Sequence, residues 1–532
     1  MKHSNILLSE TGLAAPIVLD YIAGNEFLKS FYAEPNTIIA YKKIIDERNF
    51  DDKKRQLLYD SLIHQFQKIK VPPENYPLLG SNIKLLLDSN TYTICTGHQL
   101  CLYGGPLFVT YKILTAIKLC SELRMAYPEN NFVPVLWLAS EDHDFEEISN
   151  THLYGRDFIW HKNSRNMPVG TIDLEGLSED IANISKLIGT NETGQRWIKL
   201  FEDSYLKSND LSEASIKLYT EIFKDYGLIV LDPNQRELKE ELVPVIKSDL
   251  LHQVNFSAQI ESDKILAEKY KLQINARETN FFYLHETEGR SQIKREGEEY
   301  VISGVDGMLS AQQLEAEIIN FPERFSPNVN LRPVYQELIL PNLAYVGGPA
   351  EVAYWLQLKA IFEANKVPFP VVVLRSMNLL TGNALIEKVE KLGLTVSDMI
   401  GSEIKLRQAY LKKGRSFDFQ SSFDIILNEL QKLVDASKEI DKEISKSFLD
   451  TKLSLKDLFH ERQRDIKRSI GDAEAMQIEK FMKLRSRIYP KGIFQERVDT
   501  LFQHESNLNR SLISGILDEI DVLYPELHVL KV

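Results

Sequence analysis

The sequence predicts an α/β fold built around a doubly wound parallel sheet. Short apolar runs, each long enough for one buried strand, alternate with longer runs whose apolar residues recur at helical spacing. Strands covered by helices on both faces are apolar throughout, as these runs are. Polar, glycine-containing or charged segments follow the first two runs. The four strand candidates are 91–95, 132–139, 228–232 and 369–374.

The helices predicted around these strands complete the alternating pattern. Residues 1–90 are expected to be mostly helical, and 51–70 is the clearest case because apolar residues recur every three or four positions. Further helices are predicted at 107–125, 211–225 and 350–365. Strands that alternate with helices in this way favour a parallel sheet.

Two stretches lack this alternation, and we interpret them as insertions near 155–205 and 265–325. The first is polar and weakly patterned. The second contains 275–305, which is predicted to form a β-hairpin region. The sheet domain with its insertions is therefore expected to occupy residues 1–385.

A heptad pattern distinguishes the carboxyl-terminal part of the chain. Spacings that alternate between four and three keep one stripe of a helix facing a partner. Two such runs, on either side of 449–455, predict an antiparallel coiled coil within a helical domain over 386–510. Residues 511–532 are expected to pack back on the core. The heptad positions are Ile426, Leu430, Leu433, Ser437, Ile440, Ile444 and Ser447, then Ile466, Ile470, Ala473, Gln477, Leu484 and Ile488.

Composition argues against several classes of function. The formal charge is −13, whereas a nucleic-acid-binding protein usually presents a basic face. No run reaches the roughly 18 apolar residues that a membrane span needs. Three cysteines, Cys95, Cys101 and Cys120, cannot form a disulfide framework. With no apolar signal sequence at the amino terminus, we expect a cytoplasmic protein that binds neither nucleic acid nor membrane.

The first candidate site is the turn that follows the strand at 91–95. Backbone N–H groups in such a turn can approach a phosphate or a carboxylate, and the next helix adds a favourable partial charge. His98 can donate to that anion or move a proton. The pattern is not GxGxxG, so no dinucleotide fingerprint is present. The alternatives are glycines that serve packing alone and a histidine that is only hydrogen-bonded in a loop. The candidates are Thr96, Gly97, His98, Gln99, Gly104, Gly105 and Lys112.

The second candidate site is the charged segment after the strand at 132–139. Four consecutive ionisable side chains are costly inside a core, and at the carboxyl edge of a sheet they can bind an amine, Mg²⁺ or a ribose hydroxyl. His143 can act as a general base oriented by a neighbouring acid. The alternative is a solvated loop that caps a helix. The candidate catalytic residues here are Glu141, Asp142, His143 and Asp144, together with His98.

A transition-metal site and a zinc site are both disfavoured in these two segments. Adjacent residues point in different directions, which disfavours a transition-metal site made of Glu141, His143 and Asp144. Cys95, His98 and Cys101 supply only three local ligands for zinc, and buried cysteine is common as a small hydrophobic residue.

The third candidate site lies in 325–359, where prolines predict several short turns. Arg332 can clamp a carboxylate or phosphate, and a second glycine turn opens a helix beside Pro349. The alternatives are an ordinary ion pair for Arg332 and core packing for the aromatic residues Tyr345, Tyr354 and Trp355. The candidate binding residues are Arg332, Gln336, Gly347, Gly348, Glu351 and Tyr354.

Together the three segments resemble one family, BshC, the cysteine ligases of bacillithiol biosynthesis. The motifs are TGHQLCLYGGPLFVTYKI at 96–113, PVLWLASEDHDFEEISNT at 134–151 and SPNVNLRPVYQELILPNLAYVGGPAEVAYW at 326–355. The resemblance covers essentially the whole chain, and it is weak in the insertions and the coiled coil. Cys95 and Cys101 are not expected to belong to the family pattern.

The resemblance implies a Rossmann-like core with inserted connective segments and a coiled coil used to form a homodimer. It also implies a reaction, the joining of the cysteine carboxyl group to the glucosamine amine of glucosaminyl-malate, which forms bacillithiol in the last step of its biosynthesis. A carboxylate acylates an amine only after activation, so ATP or a related nucleotide is a candidate co-substrate, although the cofactor stays unknown. No metal requirement is predicted.

These expectations assign a hypothetical role to each candidate segment. The Gly97–His98 turn would hold a nucleotide phosphate or developing charge. The 141–144 acids would hold the ammonium group or a metal, or deprotonate the amine. Arg332 and the 347–351 turn would hold the malyl carboxylates or a phosphate. Two alternatives stay open, a metal-assisted hydrolase that uses Glu141–Asp144 and an interaction protein that works through its coiled coil. The ligase hypothesis requires His98 and Asp142 to face one crevice.

Overall fold

The computed structural model describes residues 2–164, 166–304, 307–401, 419–469 and 472–532. The chain forms two compact units, one made of residues 1–380 and 493–532 and the other of 381–492. The predicted heptad position Ile470 lies outside the described residues. Within those residues, no helix combines the length and the apolar character that crossing a bilayer requires.

The strands, in chain order, are β1 Lys2–Ile6, β2 Thr91–His98, β3 Asn131–Leu138, β4 Asn150–Leu153, β5 Arg156–Ile159, β6 Ile229–Leu231, β7 Phe281–His285, β8 Gly289–Glu296, β9 Glu299–Ile302, β10 Met308–Ser310, β11 Phe325–Pro327, β12 Asn342–Gly347, β13 Val371–Leu374, β14 Met377–Thr381 and β15 Leu527–Lys531. The α-helices of the first unit are α1 Leu8–Thr11, α2 Pro16–Ile22, α3 Ile38–Glu47, α4 Asp52–Lys68, α5 Pro77–Leu85, α6 Leu107–Ala126, α7 Phe145–Ile148, α8 Leu177–Ile188, α9 Glu192–Tyr205, α10 Leu211–Ile222, α11 Arg236–Glu240, α12 Val243–Leu250, α13 Val254–Leu266, α14 Ala311–Asn320, α15 Arg332–Ile339, α16 Pro349–Trp355, α17 Lys359–Ala364, α23 Leu501–Leu508 and α24 Ile513–Glu519. Those of the second unit are α18 Asn383–Lys391, α19 Val396–Met399, α20 Phe419–Ser437, α21 Lys442–Ser469 and α22 Asp472–Arg485.

A five-stranded parallel sheet forms the centre of the first unit, with the strand order β13-β12-β2-β3-β6. The predicted α/β fold with a parallel sheet is therefore confirmed. β2 and β3 pair along their whole length, from Thr91 opposite Asn131 to His98 opposite Leu138. Because parallel strands end at the same edge, the polar segments after these two strands leave the sheet side by side.

The strand β12 was missed by the sequence analysis, although it lies between β2 and β13 in the sheet. Its six residues are all buried, but Pro341 precedes them and Gly347 ends them. These residues usually mark turns, which is why the segment was interpreted as turns. The predicted glycine turn before a helix is confirmed at Gly348, which precedes α16. The helix predicted over 350–365 is instead two short helices, α16 and α17.

The two insertions differ in structure. The predicted β-hairpin region is confirmed, and β7 to β9 join β10 and β11 in a five-stranded antiparallel sheet with the order β10-β9-β8-β7-β11. We call this the inserted sheet. The description of 155–205 as weakly patterned was wrong, because α8 and α9 each bury an apolar face.

The carboxyl-terminal residues 493–532 belong to the first unit. β15 pairs with β1 in antiparallel orientation, in a three-stranded sheet of order β1-β15-β14. Near the start of this segment, Glu496 forms a buried ion pair with Arg375, with N–O distances of 2.5 and 2.8 Å. A paired guanidinium at this depth fixes the segment against the end of β13.

A helical hairpin of α20 and α21 dominates the second unit, which confirms the predicted helical, coiled-coil character of this region. The turn lies at 438–441, so the predicted turn at 449–455 was wrong and falls inside α21. Phe423 stacks on Phe459 in the seam, with ring centroids 3.7 Å apart, and Val434 is buried. The predicted heptad residues Ile426, Leu433, Ile440 and Ile444 are exposed instead. The buried positions among the described side chains of α20 are Phe423, Val434 and Ser437, of which only Ser437 is a predicted heptad residue.

Candidate active site

A cavity of about 560 Å³ lies at the carboxyl ends of β2 and β3. His98 and Asp142 both line it, and Gln99 Nε2 donates to Asp142 Oδ2 over 2.8 Å. The two loops predicted to share one crevice therefore do so. The remaining walls come from the inserted sheet and from the segments around Arg332 and Glu351. The lining residues are Gly97, His98, Gln99, Trp137, Leu138, Ala139, Ser140, Glu141, Asp142, His143, Asp144, Glu147, Pro233, Arg277, Phe282, Arg290, Ser326, Pro327, Asn328, Val329, Arg332, Tyr345, Glu351 and Tyr354.

The loop after β3 is held in place by its backbone. Val169 N–H donates to Asp142 O over 2.6 Å, and Gly170 N–H donates to Ser140 O over 2.8 Å. Gly170 approaches so closely that a Cβ there would lie 2.7 Å from Ser140 Cβ. Ser140 Oγ also donates to Asp232 Oδ1 over 2.5 Å, which ties the loop to the end of β6. The acidic side chains therefore project from a fixed backbone.

Glu141 forms a buried ion pair with Lys239, a residue of α11 that the sequence analysis missed. The side chain of Lys239 is fully buried, and its Nζ also donates to Phe325 O over 2.6 Å. Burial lowers the pKa of Lys239, and the neighbouring carboxylate opposes this effect. The Glu141 carboxylate is thus already neutralised, unlike that of Asp144.

Asp142 is held by Arg290, which the sequence analysis also missed. Arg290 lies on β8 of the inserted sheet, and its Nη1 is 3.3 Å from Asp142 Oδ1 and 3.2 Å from His143 Nδ1. Its guanidinium lies over the Phe282 ring, 4.2 Å from the centroid. Burial lowers the pKa of Arg290, and Asp142 opposes this effect. No local motif marks this arginine in the sequence.

Asp142, His143 and Asp144 place ligand atoms within 4.8 Å of one another, which is close enough for one metal ion. Arg290 already donates to Asp142 and to the Nδ1 atom of His143. A cation would have to displace this guanidinium or sit beside it, so the electrostatics disfavour a metal. A ligand ammonium group would instead suit the carboxylates of Asp144 and Glu147. Neither of them has an ion pair with a lysine or arginine in the described part of the chain.

The imidazole of His98 is held at the end of β2. Its Nδ1 lies 3.0 Å from Gln99 O, and its ring lies 5.0 Å from that of Phe108. Burial, together with the positive charge of Lys112, lowers the pKa of His98 from 6.5 to about 4. This histidine is therefore neutral at neutral pH.

Lys112 lies behind the cavity wall and does not line the cavity. Its Nζ donates to Gly97 O and, over 2.8 Å, to Glu351 Oε1. Glu351 Oε2 accepts from Gly348 N–H over 2.6 Å. The ammonium group of Lys112 lowers the pKa of Glu351, which burial alone would raise. The pair ties the end of β2 to the start of α16, so Lys112 supports the site from behind while Glu351 faces the cavity.

Arg332 contributes a buried guanidinium to the cavity, and it has no carboxylate partner among the described residues. Nη1 donates to Gln336 Oε1 over 3.2 Å, and the guanidinium lies 5.4 Å from the centroid of Tyr345. Nη2 is buried and has no hydrogen-bond partner in the described part of the chain. A buried donor without a partner is costly. An anionic ligand in the cavity would supply the missing acceptor.

Comparison with known proteins decides the family. Residues 1–376 match the family model described as "Bacillithiol biosynthesis BshC, N-terminal Rossmann-like domain". Residues 379–532 match "Bacillithiol biosynthesis BshC, C-terminal coiled-coil domain". The chain belongs to the BshC family. The resemblance seen in the sequence motifs is thus confirmed, as is the Rossmann-like core with its coiled-coil domain.

Curated relatives match this BshC-family chain over its whole length. The protein from Flavobacterium johnsoniae is 34% identical, with all of both chains covered. That from Christiangramia forsetii is 33% identical and covers 100% of this chain and 99% of its own. A Bacillus cereus (strain AH187) protein is 26% identical, with 97% and 98% covered. Each is named "Putative cysteine ligase BshC", which agrees with the predicted enzyme class.

Several predicted site residues of this BshC-family chain do not line the cavity. Thr96 Oγ1 donates to Val346 O over 2.7 Å and so ties β2 to β12. Gly104 and Gly105 have φ values of 84° and 70° and form the turn before α6. These residues, with Gln336, Gly347, Gly348 and Lys112, shape the scaffold around the cavity. Tyr354 does line it, as do Gly97 and Gln99.

Among the described residues, the cysteines belong to no group whose ligand atoms lie close enough together for one metal ion. Cys95, Cys101 and Cys120 are all buried and unpaired, and burial raises the pKa of each thiol, to about 12 for Cys101 and Cys120. A thiol whose pKa is raised in this way stays protonated at neutral pH and is a poor nucleophile.

Proposed function

We propose that this protein joins the carboxyl group of cysteine to the glucosamine amine of glucosaminyl-malate, the last step of bacillithiol biosynthesis. One observation carries the proposal. Among the described residues, a single cavity contains carboxylates without a lysine or arginine partner, at Asp144 and Glu147, and a buried guanidinium without a carboxylate partner, at Arg332. The two substrates bring the complementary groups, since one has an ammonium group and a carboxylate and the other has an amine and a dicarboxylate.

The chemistry requires an activated carboxyl group, and a nucleoside triphosphate is the class of co-substrate that provides it. A carboxylate oxygen of cysteine attacks phosphorus, a phosphoanhydride bond breaks, and pyrophosphate or the nucleoside diphosphate leaves. The amine nitrogen then attacks the carbonyl carbon, forming the C–N bond. The C–O bond to the phosphoryl group breaks, and the nitrogen loses one proton to a base.

The residues of the cavity suit distinct parts of this reaction. Asp144 and Glu147 are placed to bind an ammonium group. Arg332 is placed to bind a malyl carboxylate or a phosphate, because its Nη2 has no acceptor within the described residues. His98 is neutral at neutral pH and can accept a hydrogen bond or proton from the attacking amine. Glu141 is held by Lys239 and is left with a supporting role.

The test is complementation of a deletion strain, with thiols and precursors measured by mass spectrometry. The strain should lack bacillithiol and accumulate glucosaminyl-malate, and the wild-type gene should reverse both effects. Variants His98→Ala and Asp142→Asn should fail to do so although they fold. Asp457→Asn, which changes an exposed acid of α21, is the matched control and should complement fully. Normal thiol levels with either site variant would remove that residue from the mechanism.

A metal-assisted hydrolase is the second candidate, because Asp142, His143 and Asp144 can reach one ion. This function predicts a stoichiometric divalent metal in the purified protein and loss of activity with a chelator, without any effect of nucleotide. A metal-free protein that consumes a nucleotide in the presence of cysteine and the amino sugar would exclude it.

We also propose that the protein is a homodimer through its coiled coil. The support is an exposed apolar stripe of the hairpin, with Ile426 and Leu433 on α20, Ile440 in the turn and Ile444 at the start of α21. Stripes of this kind usually mark a contact with another chain. The double variant Ile440→Glu with Ile444→Glu should halve the mass measured by light scattering. An unchanged mass would contradict this dimer.

A further inference from the structure

We propose that the two histidines of the cavity have opposite hydrogen-bonding roles, and that Arg290 is the positioning residue that sets the role of His143. In this arrangement His143 presents an Nε2–H donor, and His98 presents an unprotonated Nε2 acceptor. Only the consequence of this arrangement for the reaction rests on the proposed function. The arrangement of protons itself follows from the contacts of the two rings.

The tautomer of His143 follows from its contact with Arg290. A guanidinium group carries N–H donors and no acceptor. The His143 Nδ1 atom, 3.2 Å from Arg290 Nη1, must therefore accept this hydrogen bond. An imidazole nitrogen that accepts carries no proton, so the ring proton of neutral His143 is on Nε2.

The tautomer of His98 is the reverse. Its Nδ1 lies 3.0 Å from the carbonyl oxygen of Gln99, and a carbonyl oxygen can only accept. Nδ1 therefore carries the proton, and Nε2 carries the lone pair. No hydrogen bond to the Nε2 atom of His98 comes from any residue in the described part of the chain. Burial keeps this ring neutral, so the lone pair is retained at neutral pH.

Arg290 can set the tautomer of His143 because contacts on several sides hold its own side chain in place. Its Nε donates to Ser326 Oγ over 3.1 Å, and Nη2 donates to Pro327 O over 2.9 Å. Both partners lie on β11 of the inserted sheet, and the guanidinium stacks on Phe282 of β7. The side chain is 9% exposed, so rotation away from His143 would leave a buried charge without partners. The inserted sheet therefore holds the donor that sets His143.

The consequence concerns the transition state of amide formation. The carbonyl oxygen gains negative charge as the amine attacks, and a fixed N–H donor stabilises it. The attacking nitrogen has a proton to release, and an unprotonated ring nitrogen can accept it. His143 Nε2–H and His98 Nε2 supply one group of each kind within the same cavity. Arg290 touches neither substrate in this account and acts through His143.

The test combines a spectroscopic measurement with kinetics. In protein labelled with ¹⁵N-histidine, nitrogen shifts and two-bond couplings distinguish the tautomers, and His98→Gln and His143→Gln assign the signals. Wild type should show the Nε2–H form for His143 and the Nδ1–H form for His98. Arg290→Ala should mix the His143 forms, leave His98 unchanged and lower kcat about 100-fold, with little change in the KM for cysteine. Added guanidinium should restore part of kcat.

Arg324→Ala is the matched control. Arg324 also lies over an aromatic ring, Phe321 at 4.1 Å, and pairs with Glu317, but it does not line the cavity. It should leave the His143 signals and kcat unchanged. A wild-type Nδ1–H form of His143, or His143 signals that do not respond to Arg290→Ala, would overturn the inference. If those signals respond as expected but no ligase activity is found, the proposed function fails while the assignment of the tautomers stands.

Discussion

Replacing Lys239 by methionine isolates the role of Glu141. The Lys239 side chain is fully buried, and that of Glu141 is 10% exposed. Methionine has nearly the length of lysine without its charge. The variant therefore leaves the Glu141 carboxylate buried beside an apolar side chain, and it leaves Phe325 O without the donor that it has over 2.6 Å.

The expected decrease in the free energy of unfolding follows from the loss of the ion pair and the loss of the hydrogen bond. Removing one partner of a buried ion pair costs about 3–5 kcal/mol, because the remaining charge has no compensation. Removing both charges, in Lys239→Met with Glu141→Gln, should cost much less, since an amide is far cheaper to bury than a carboxylate. The second substitution should therefore recover about 2 kcal/mol or more of what the first one loses.

Urea denaturation of the two single variants and the double variant completes this thermodynamic cycle. The free energy of unfolding at pH 7 should fall most in Lys239→Met and rise again in the double variant. The double variant should also retain ligase activity that Asp142→Asn lacks. A loss below about 1 kcal/mol in Lys239→Met, or additive effects of the two substitutions, would refute the claim that Glu141 is a structural residue.

Two further predictions concern the loop after β3 and the ring of His98. Gly170→Ala should reduce activity while the protein still folds, because the new Cβ would lie 2.7 Å from Ser140 Cβ and would displace the acidic loop. Gly382→Ala, where a Cβ meets nothing within 4 Å, is the control, and equal activity of the two variants would contradict the tight loop contact. For His98, the lowered pKa of about 4 means that the unfolded chain takes up its proton first as the pH falls from 6.5. The stability contribution of neutral His98 is therefore present above pH 6.5 and is lost toward pH 4, about 3 kcal/mol in all. Calorimetry of wild type and His98→Gln should show a steeper loss in wild type, and parallel curves would show that His98 titrates normally.

The sequence predicted the part of the site that depends on local pattern. An apolar run followed at once by a polar burst marks a buried strand and its carboxyl end, so the loops after β2 and β3 were placed correctly. Parallel pairing then brings His98 and Asp142 to one edge without further information. Arg332 was chosen for its residue type, because a guanidinium can clamp a carboxylate or a phosphate.

The rest of the site depends on contacts between distant segments. Lys239 and Arg290 reach the acidic loop from α11 and from the inserted sheet, 98 and 148 residues away from their partners in sequence. An arginine on an inserted strand has the same local pattern whether it meets solvent or a histidine of the cavity. Lys112 shows the converse, because its helical position suggested that it faces the crevice, whereas it lies behind the cavity wall and pairs there with Glu351.

The most direct measurement is a crystal structure of the protein with cysteine and glucosaminyl-malate bound. Both ligands should lie in the 560 Å³ cavity, with a carboxylate or phosphate oxygen within hydrogen-bonding distance of Arg332 Nη2 and the amino groups near Asp144 or Glu147. Ligands bound at saturating concentration in another part of the molecule, with this cavity filled only by water, would contradict the account.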